Sequence, residues 1–143
     1  MRWFLMQLFR HSAWGITFLR LVLGGLIFYQ GTIKLFYSGW GMGYLQQYGI
    51  PAPGAVGPII TILEFVGGFF MLIGLFVRYL GLVFTVEYLL LTTIIAMQRG
   101  MMVARLEYTI LAGVIVLSMQ GAGALGVDRV GRPWEPFFDR RSR

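Results

Sequence analysis

Apolar residues run through the chain in four long blocks, at about 16–37, 58–77, 79–97 and 104–123, each interrupted by only one to three charged or amide side chains. Crossing the hydrocarbon core of a bilayer takes about 20 predominantly apolar residues, so the pattern predicts four membrane spans. Hydrocarbon offers no partner to an unpaired backbone amide, and no alternating strand pattern marks a closed barrel, so each span is predicted to be a helix. The fold class that follows is an all-α integral membrane protein, a single domain over 1–143 built as an antiparallel bundle of four transmembrane helices. Residues 77–79 leave room only for a tight hairpin between the second and third helices. The longest connection, SGWGMGYLQQYGIPAPGAVG at 38–57, is rich in Gly, Pro and aromatic residues and is predicted to form a cap with Trp40, Tyr44 and Tyr48 at headgroup depth. Residues 1–15 read as an interfacial segment, because the apolar run stops at Arg10 and His11 with no small-residue cleavage site nearby.

Helical spacing sorts the polar residues inside the blocks onto single faces. The first helix carries Arg20, Gly24, Ile27, Gly31 and Lys34 on one stripe, and the second carries Thr61, Glu64, Gly68, Met71 and Arg78. The third gives Phe84, Glu87, Leu91 and Gln98; the fourth gives Glu107, Leu111, Val114 and Ser118. A charge facing lipid costs about 2.5–3.5 kcal/mol at a helix centre, so these faces are expected to turn inward and pair. The expected buried network is Arg20, Lys34, Glu64, Glu87, Arg99, Arg105 and Glu107. At 1.5 Å per residue, Glu64 is expected roughly 9 Å below one end of its helix, near Lys34, Glu107 and the two arginines. Glu87, about 12 Å from the opposite end of its own helix, is expected to meet Arg20. Gly24, Gly25, Gly67 and Gly68 are expected to let helices approach closely.

Composition narrows the chemistry. The chain is 57% hydrophobic and 13% charged, which sets it outside the range of soluble domains. It has no cysteine and a single histidine, His11, so thiolate metal sites, iron–sulfur clusters, bis-histidine haem and multi-histidine zinc sites cannot be built from it, and no metal site is expected. The net charge of +6 does not read as nucleic-acid binding, because five of the twelve basic residues lie in the last fifteen positions rather than along a folded face. That basic tail, 124–143, is expected on an anionic lipid surface or a partner protein. With four spans the termini and Arg78 share one side, which carries Arg2, Arg10, Arg78, Arg129, Arg132, Arg140, Arg141 and Arg143; the other holds Arg99 and Arg105, with Lys34 near a helix end. The positive-inside bias then places both termini in the cytoplasm.

GAGALG at 121–126 matches G-x-G-x-x-G letter for letter, but a dinucleotide fingerprint works only between a strand and a helix. After a membrane helix it reads as a flexible exit. Two readings of the charge network stay open. Buried pairs fix helix register and partner choice, or they line a site for a polar headgroup or a proton. In the second, Gln30, Lys34 and Glu64 are the candidate ligand-binding residues, walled by Phe28, Tyr29, Phe65 and Phe69.

RLVLGGLIFYQGTIKLF, GIPAP, LEFVGGFFMLIGLFVRYLG and EYTIL followed by GAGALGVDR together resemble the DoxX family of small four-helix bacterial membrane proteins, over about residues 20–129. Where the family pattern often has a histidine this chain has Gln30, so a proton-handling histidine does not carry over. The resemblance implies a membrane subunit in the bacterial inner membrane, associated with oxidoreductase complexes such as the thiosulfate:quinone oxidoreductases. The chain has no intrinsic cofactor, so a redox role requires a bound quinone or a larger partner subunit. A purely structural subunit of a respiratory or photosynthetic complex is the alternative, and a small transporter the third.

Overall fold

The computed structural model describes residues 2–123 and 125–127, and among them every regular element is helical. α1 spans Arg2–Tyr37, α2 Met42–Gln47, α3 Pro53–Ile73, α4 Val77–Arg99 and α5 Arg105–Gln120. α1 is continuous for 36 residues, about 54 Å, so from Arg2 onward the segment expected at the interface and the first span share one helix. Among the described residues three helices are long and apolar enough to cross a membrane: Trp14–Tyr37 of α1, α3 and α4. α5 coincides with the fourth apolar block but has 16 residues, about 24 Å, against a hydrocarbon core of about 30 Å.

The helices pack as two antiparallel pairs, α1 with α3 and α4 with α5, while α3 and α4 touch much less despite the three-residue turn between them. Glycine decides the first pair. A methyl on Gly31 would run into the backbone nitrogen of Phe65; on Gly68 it would sit 2.5 Å from Phe28 N, and on Gly24 3.0 Å from Leu72 N. Each step along α1 is matched by an equal step back along α3, so one antiparallel register holds over two turns with backbone against backbone. Gly81 of α4 does the same for the second pair, 2.9 Å from Ser118 N if it bore a Cβ. α4 reaches α3 through large side chains instead: the Phe84 ring fills the space beside Gly67, and Tyr88 extends to Glu64.

Three layers follow along the bundle. At the α2 end, Leu45, Ile50 and Leu91 form a small apolar cluster with Tyr44, Tyr48 and Val56 packed on it. A polar layer comes next. Beyond it lies the main core, built on Leu23, Ile27, Met71, Phe84, Val114 and Leu117. At the far end Arg20 donates from Nη1 to the carbonyl of Ala122 at 3.0 Å, and Leu125 N donates to Thr17 Oγ1 at 3.4 Å, tying the chain after α5 back to α1. The GAGALG stretch thus directly follows a helix, with no strand before it among the described residues. Asp128, Arg129 and the rest of the basic tail lie outside the described residues.

Candidate functional site

Lys34, one turn from the end of α1, points across the α1–α3 contact and donates from Nζ to both oxygens of Glu64, at 2.7 and 2.6 Å. The two side chains are 4% and 0% exposed. The pair is therefore sealed from both lipid and water. An ammonium has three protons, and its remaining direction is covered by the Tyr44 ring, whose centroid lies 4.3 Å from Nζ. Tyr88 adds a hydroxyl, 3.1 Å from Glu64 Oε1 and 3.3 Å from Gln30 Oε1. A phenol has one proton for these two acceptors, and the nearer, charged one takes it. Gln30 then keeps one polar group free in either amide orientation, a donor in one and an acceptor in the other. As oriented here, its buried Nε2 has no hydrogen-bond partner among the described residues.

Glu64 lies deeper than the apolar block implied. Proline at N1 lets α3 begin at Pro53, because the first helical positions have no intrahelical use for an amide proton, whereas Pro58 lies inside the helix and gives up one intrahelical hydrogen bond. Glu64 is thus 11 residues, about 16 Å, from the helix start. Glu87 likewise lies 10 residues, about 15 Å, from the start of α4.

The expected pairing of Glu87 with Arg20 does not form. Arg20 is level with the turn between α3 and α4, its Nη1 packed against Gly74, roughly ten residues below Glu87. Glu87 instead belongs to the layer of Lys34 and Glu64, which both act on it electrostatically. It is 8% exposed, and neither carboxyl oxygen has a hydrogen-bond partner among the described residues. The expectation that several cations surround Glu64 also fails. Arg99 is exposed and donates to the carbonyl of Gln47 at 2.6 Å, and Arg105 is exposed at the start of α5. Among the described residues Lys34–Glu64 is the one ion pair.

Glu107, in the first turn of α5, is 5% exposed and is bound by Tyr44, whose hydroxyl donates to Oε1 at 3.0 Å. Its Oε2 has no partner among the described residues, nor have the buried hydroxyls of Thr61 and Thr92. Burial first, and the Glu107 carboxylate second, push the Tyr44 phenol well above its ordinary range. Tyr44, expected in the cap, thus points into the bundle. It turns inward, stacked edge-on with Tyr48 at 4.8 Å, while Trp40 remains 49% exposed.

Of the expected walls, Phe28, Phe65 and Phe69 pack on one another across the α1–α3 contact, with ring centroids 5.0 and 6.2 Å apart, and Tyr29 faces outward. The structure thus brings together Gln30, Lys34, Glu64, Glu87 and Glu107, and leaves Arg20, Arg99 and Arg105 apart. Tyr88 and Tyr44 complete the site. Tyr88 follows Glu87 directly, so helical spacing puts both at the edge of the inward face, which is the signal that marks it.

A four-residue-type cluster of this kind, on a bundle whose α1 and α3 touch through glycine, defines a small helical membrane protein with a polar layer inside its apolar core. The model of the DoxX family matches residues 15–98, and the chain belongs to that family. No match is found among curated proteins or among solved structures.

Proposed function

We propose that the chain is a membrane subunit of a quinone-linked redox complex in the bacterial inner membrane, and that Gln30, Lys34, Glu64 and their neighbours Tyr88 and Glu87 bind the quinone headgroup and manage its protons. In this reading α5 crosses as a fourth span, and the arginine count places both termini in the cytoplasm. The observation that carries the proposal is the set of polar atoms beside a fully engaged ion pair: Gln30 Nε2 and both Glu87 oxygens, buried and without hydrogen-bond partners among the described residues. A quinone presents two carbonyl acceptors and a quinol two hydroxyl donors. A free amide donor and a free carboxyl acceptor complement the two states in turn, so the residues present fit the group. The quinone would supply the redox chemistry that these side chains lack; Lys34 holds Glu64 in place, and Tyr88 hydrogen-bonds the same carboxylate beside Gln30.

The test is gentle extraction followed by mass spectrometry of bound lipids and proteins, with Gln30→Leu and Glu64→Gln alongside the wild type. Retained quinone, lost in Gln30→Leu while the subunit stays folded and assembled, supports the proposal. Wild-type protein that retains none, and binds none when a short-chain quinone is titrated into it, refutes the quinone site.

A second reading, an assembly subunit without a ligand, draws on the sealing of Lys34 and Glu64. A closed pair suits a register lock between helices. Constant co-purification with a large partner, with no quinone present, would favour it.

A further inference from the structure

The ion pair is not isolated from the α2 end of the bundle. Tyr44 bridges it: one side chain lays its ring against the Lys34 ammonium and sends its hydroxyl to Glu107. Apolar packing at this position needs no hydroxyl, and the carboxyl at 107, 5% exposed, serves no ion pair among the described residues. The titratable side chains that face Tyr44 are Lys34 from α1, Tyr48 from α2 itself, Glu64 from α3, Tyr88 from α4 and Glu107 from α5. They form one connected set, and Glu107 lies in it at the start of α5, beside the exposed Arg105 and Leu106.

We infer that Tyr44 and Glu107 are the proton entry to the Lys34–Glu64 pair, with Tyr44 passing protons between the Glu107 carboxyl and the Lys34 ammonium. This rests on the pair being a proton-handling site, the part of the proposed function that does not depend on quinone. The transfer balances simply. A proton moves from Lys34 Nζ to Glu64; the Tyr44 hydroxyl proton replaces it at Nζ; the phenol oxygen takes a proton from Glu107 in its acid form. One proton has then gone from Glu107 to Glu64, only O–H and N–H bonds have changed, and Glu107 is refilled from the water beyond the start of α5. A strongly basic phenol stays neutral between transfers, so Tyr44 acts as a relay and never as a lasting anion. In the arrangement seen, the ring face covers Nζ while the hydroxyl is held by Glu107. The relay is therefore closed, and it opens when the ring slides so that its oxygen replaces its face at Nζ.

Lys34 is the only lysine in the chain, so protein labelled with nitrogen-15 at the lysine side chain gives a single Nζ signal. Its proton exchange with water can be measured by magnetisation transfer in nanodiscs freed of quinone, which separates this test from that of the quinone site. Tyr44→Phe keeps the ring and removes the hydroxyl; Glu107→Gln keeps the hydrogen bond and removes the acid. Each is expected to slow exchange at Lys34 at least ~10-fold without moving the Nζ chemical shift. Wild-type exchange in either variant, with the signal still that of a buried ammonium, overturns the relay, because water then reaches Lys34 without it. Should Tyr44→Phe fail to insert, Glu107→Gln decides alone by the same criterion.

Discussion

Breaking the Lys34–Glu64 pair from either side should cost more than breaking it from both. Lys34→Met keeps the length of the side chain but leaves the Glu64 carboxylate with only the Tyr88 hydroxyl at 3.1 Å; Glu64→Gln keeps the shape but leaves the ammonium uncompensated. Removing one partner of a buried pair costs about 3–5 kcal/mol, and the cost of one unpaired charge at a helix centre, about 2.5–3.5 kcal/mol, gives an independent figure of the same size. At 1.4 kcal/mol per decade, 3–5 kcal/mol is a loss of roughly two to three and a half decades in the folding equilibrium. The two variants should differ, because Glu87 lies within the electrostatic reach of Lys34 and can take over as partner when Glu64 is lost. Among the described residues no second cation lies so close to Glu64. Glu64→Gln is therefore expected at the lower end of that range and Lys34→Met at the upper. The double variant leaves neither member of the pair without its counter-charge and should return to within about 1–2 kcal/mol of the wild type, so a double-mutant cycle should show a coupling of at least ~2 kcal/mol. Reversible unfolding in mixed micelles, followed by helical circular dichroism, measures all four corners. Additive single variants, or single losses below about 1 kcal/mol, would refute the claim that the pair is buried and mutually dependent.

The helix contact and the cap give two further predictions. Gly31→Ala and Gly68→Ala, whose methyls meet backbone that cannot step aside, should each destabilise by about 1–3 kcal/mol, whereas Gly25→Ala, 4.0 Å from the flexible tip of Leu72, should be near neutral; equal effects in the same unfolding assay would count against the register. Burial and Glu107 raise the Tyr44 phenol in the folded state above its ordinary value of 10.0, so above about pH 10 the unfolded chain releases a proton that the folded chain keeps, and stability falls as pH rises. Tyr44→Phe should make that alkaline decline shallower by up to about 1.4 kcal/mol per pH unit, one proton's worth; an unchanged slope would mean that Tyr44 titrates alike in both states.

The helices were legible because lipid demands apolar runs, and their inward faces because few residues break those runs: Lys34, Glu64, Glu87 and Glu107 are all buried as their spacing implies. What the spacing could not supply was level along the bundle. Pairing Glu87 with Arg20 requires one level, yet Arg20 sits beside Gly74 at the turn before α4 while Glu87 lies 10 residues into α4. Level is fixed by where glycine lets one backbone rest on another, and a single chain read in one dimension does not say which glycine faces which residue. Tyr44 escaped for a related reason. An aromatic in a Gly-rich connection looks interfacial until the short α2 turns it inward.

The contact between α1 and α3 bears on what can move. At Gly24, Gly31 and Gly68 no compressible side chain lies between the two backbones, so the pair behaves like a rack meshed with its own teeth, shifting by a whole notch or staying put. Fine adjustment must come from elsewhere: from α4, whose grip on α3 runs through the Phe84 ring and the Tyr88 hydroxyl, with α5 packed on it. The lysine and its carboxylate are thus anchored on the stiff half of the molecule, and their companions Tyr88, Glu87 and Glu107 ride on the half that can give.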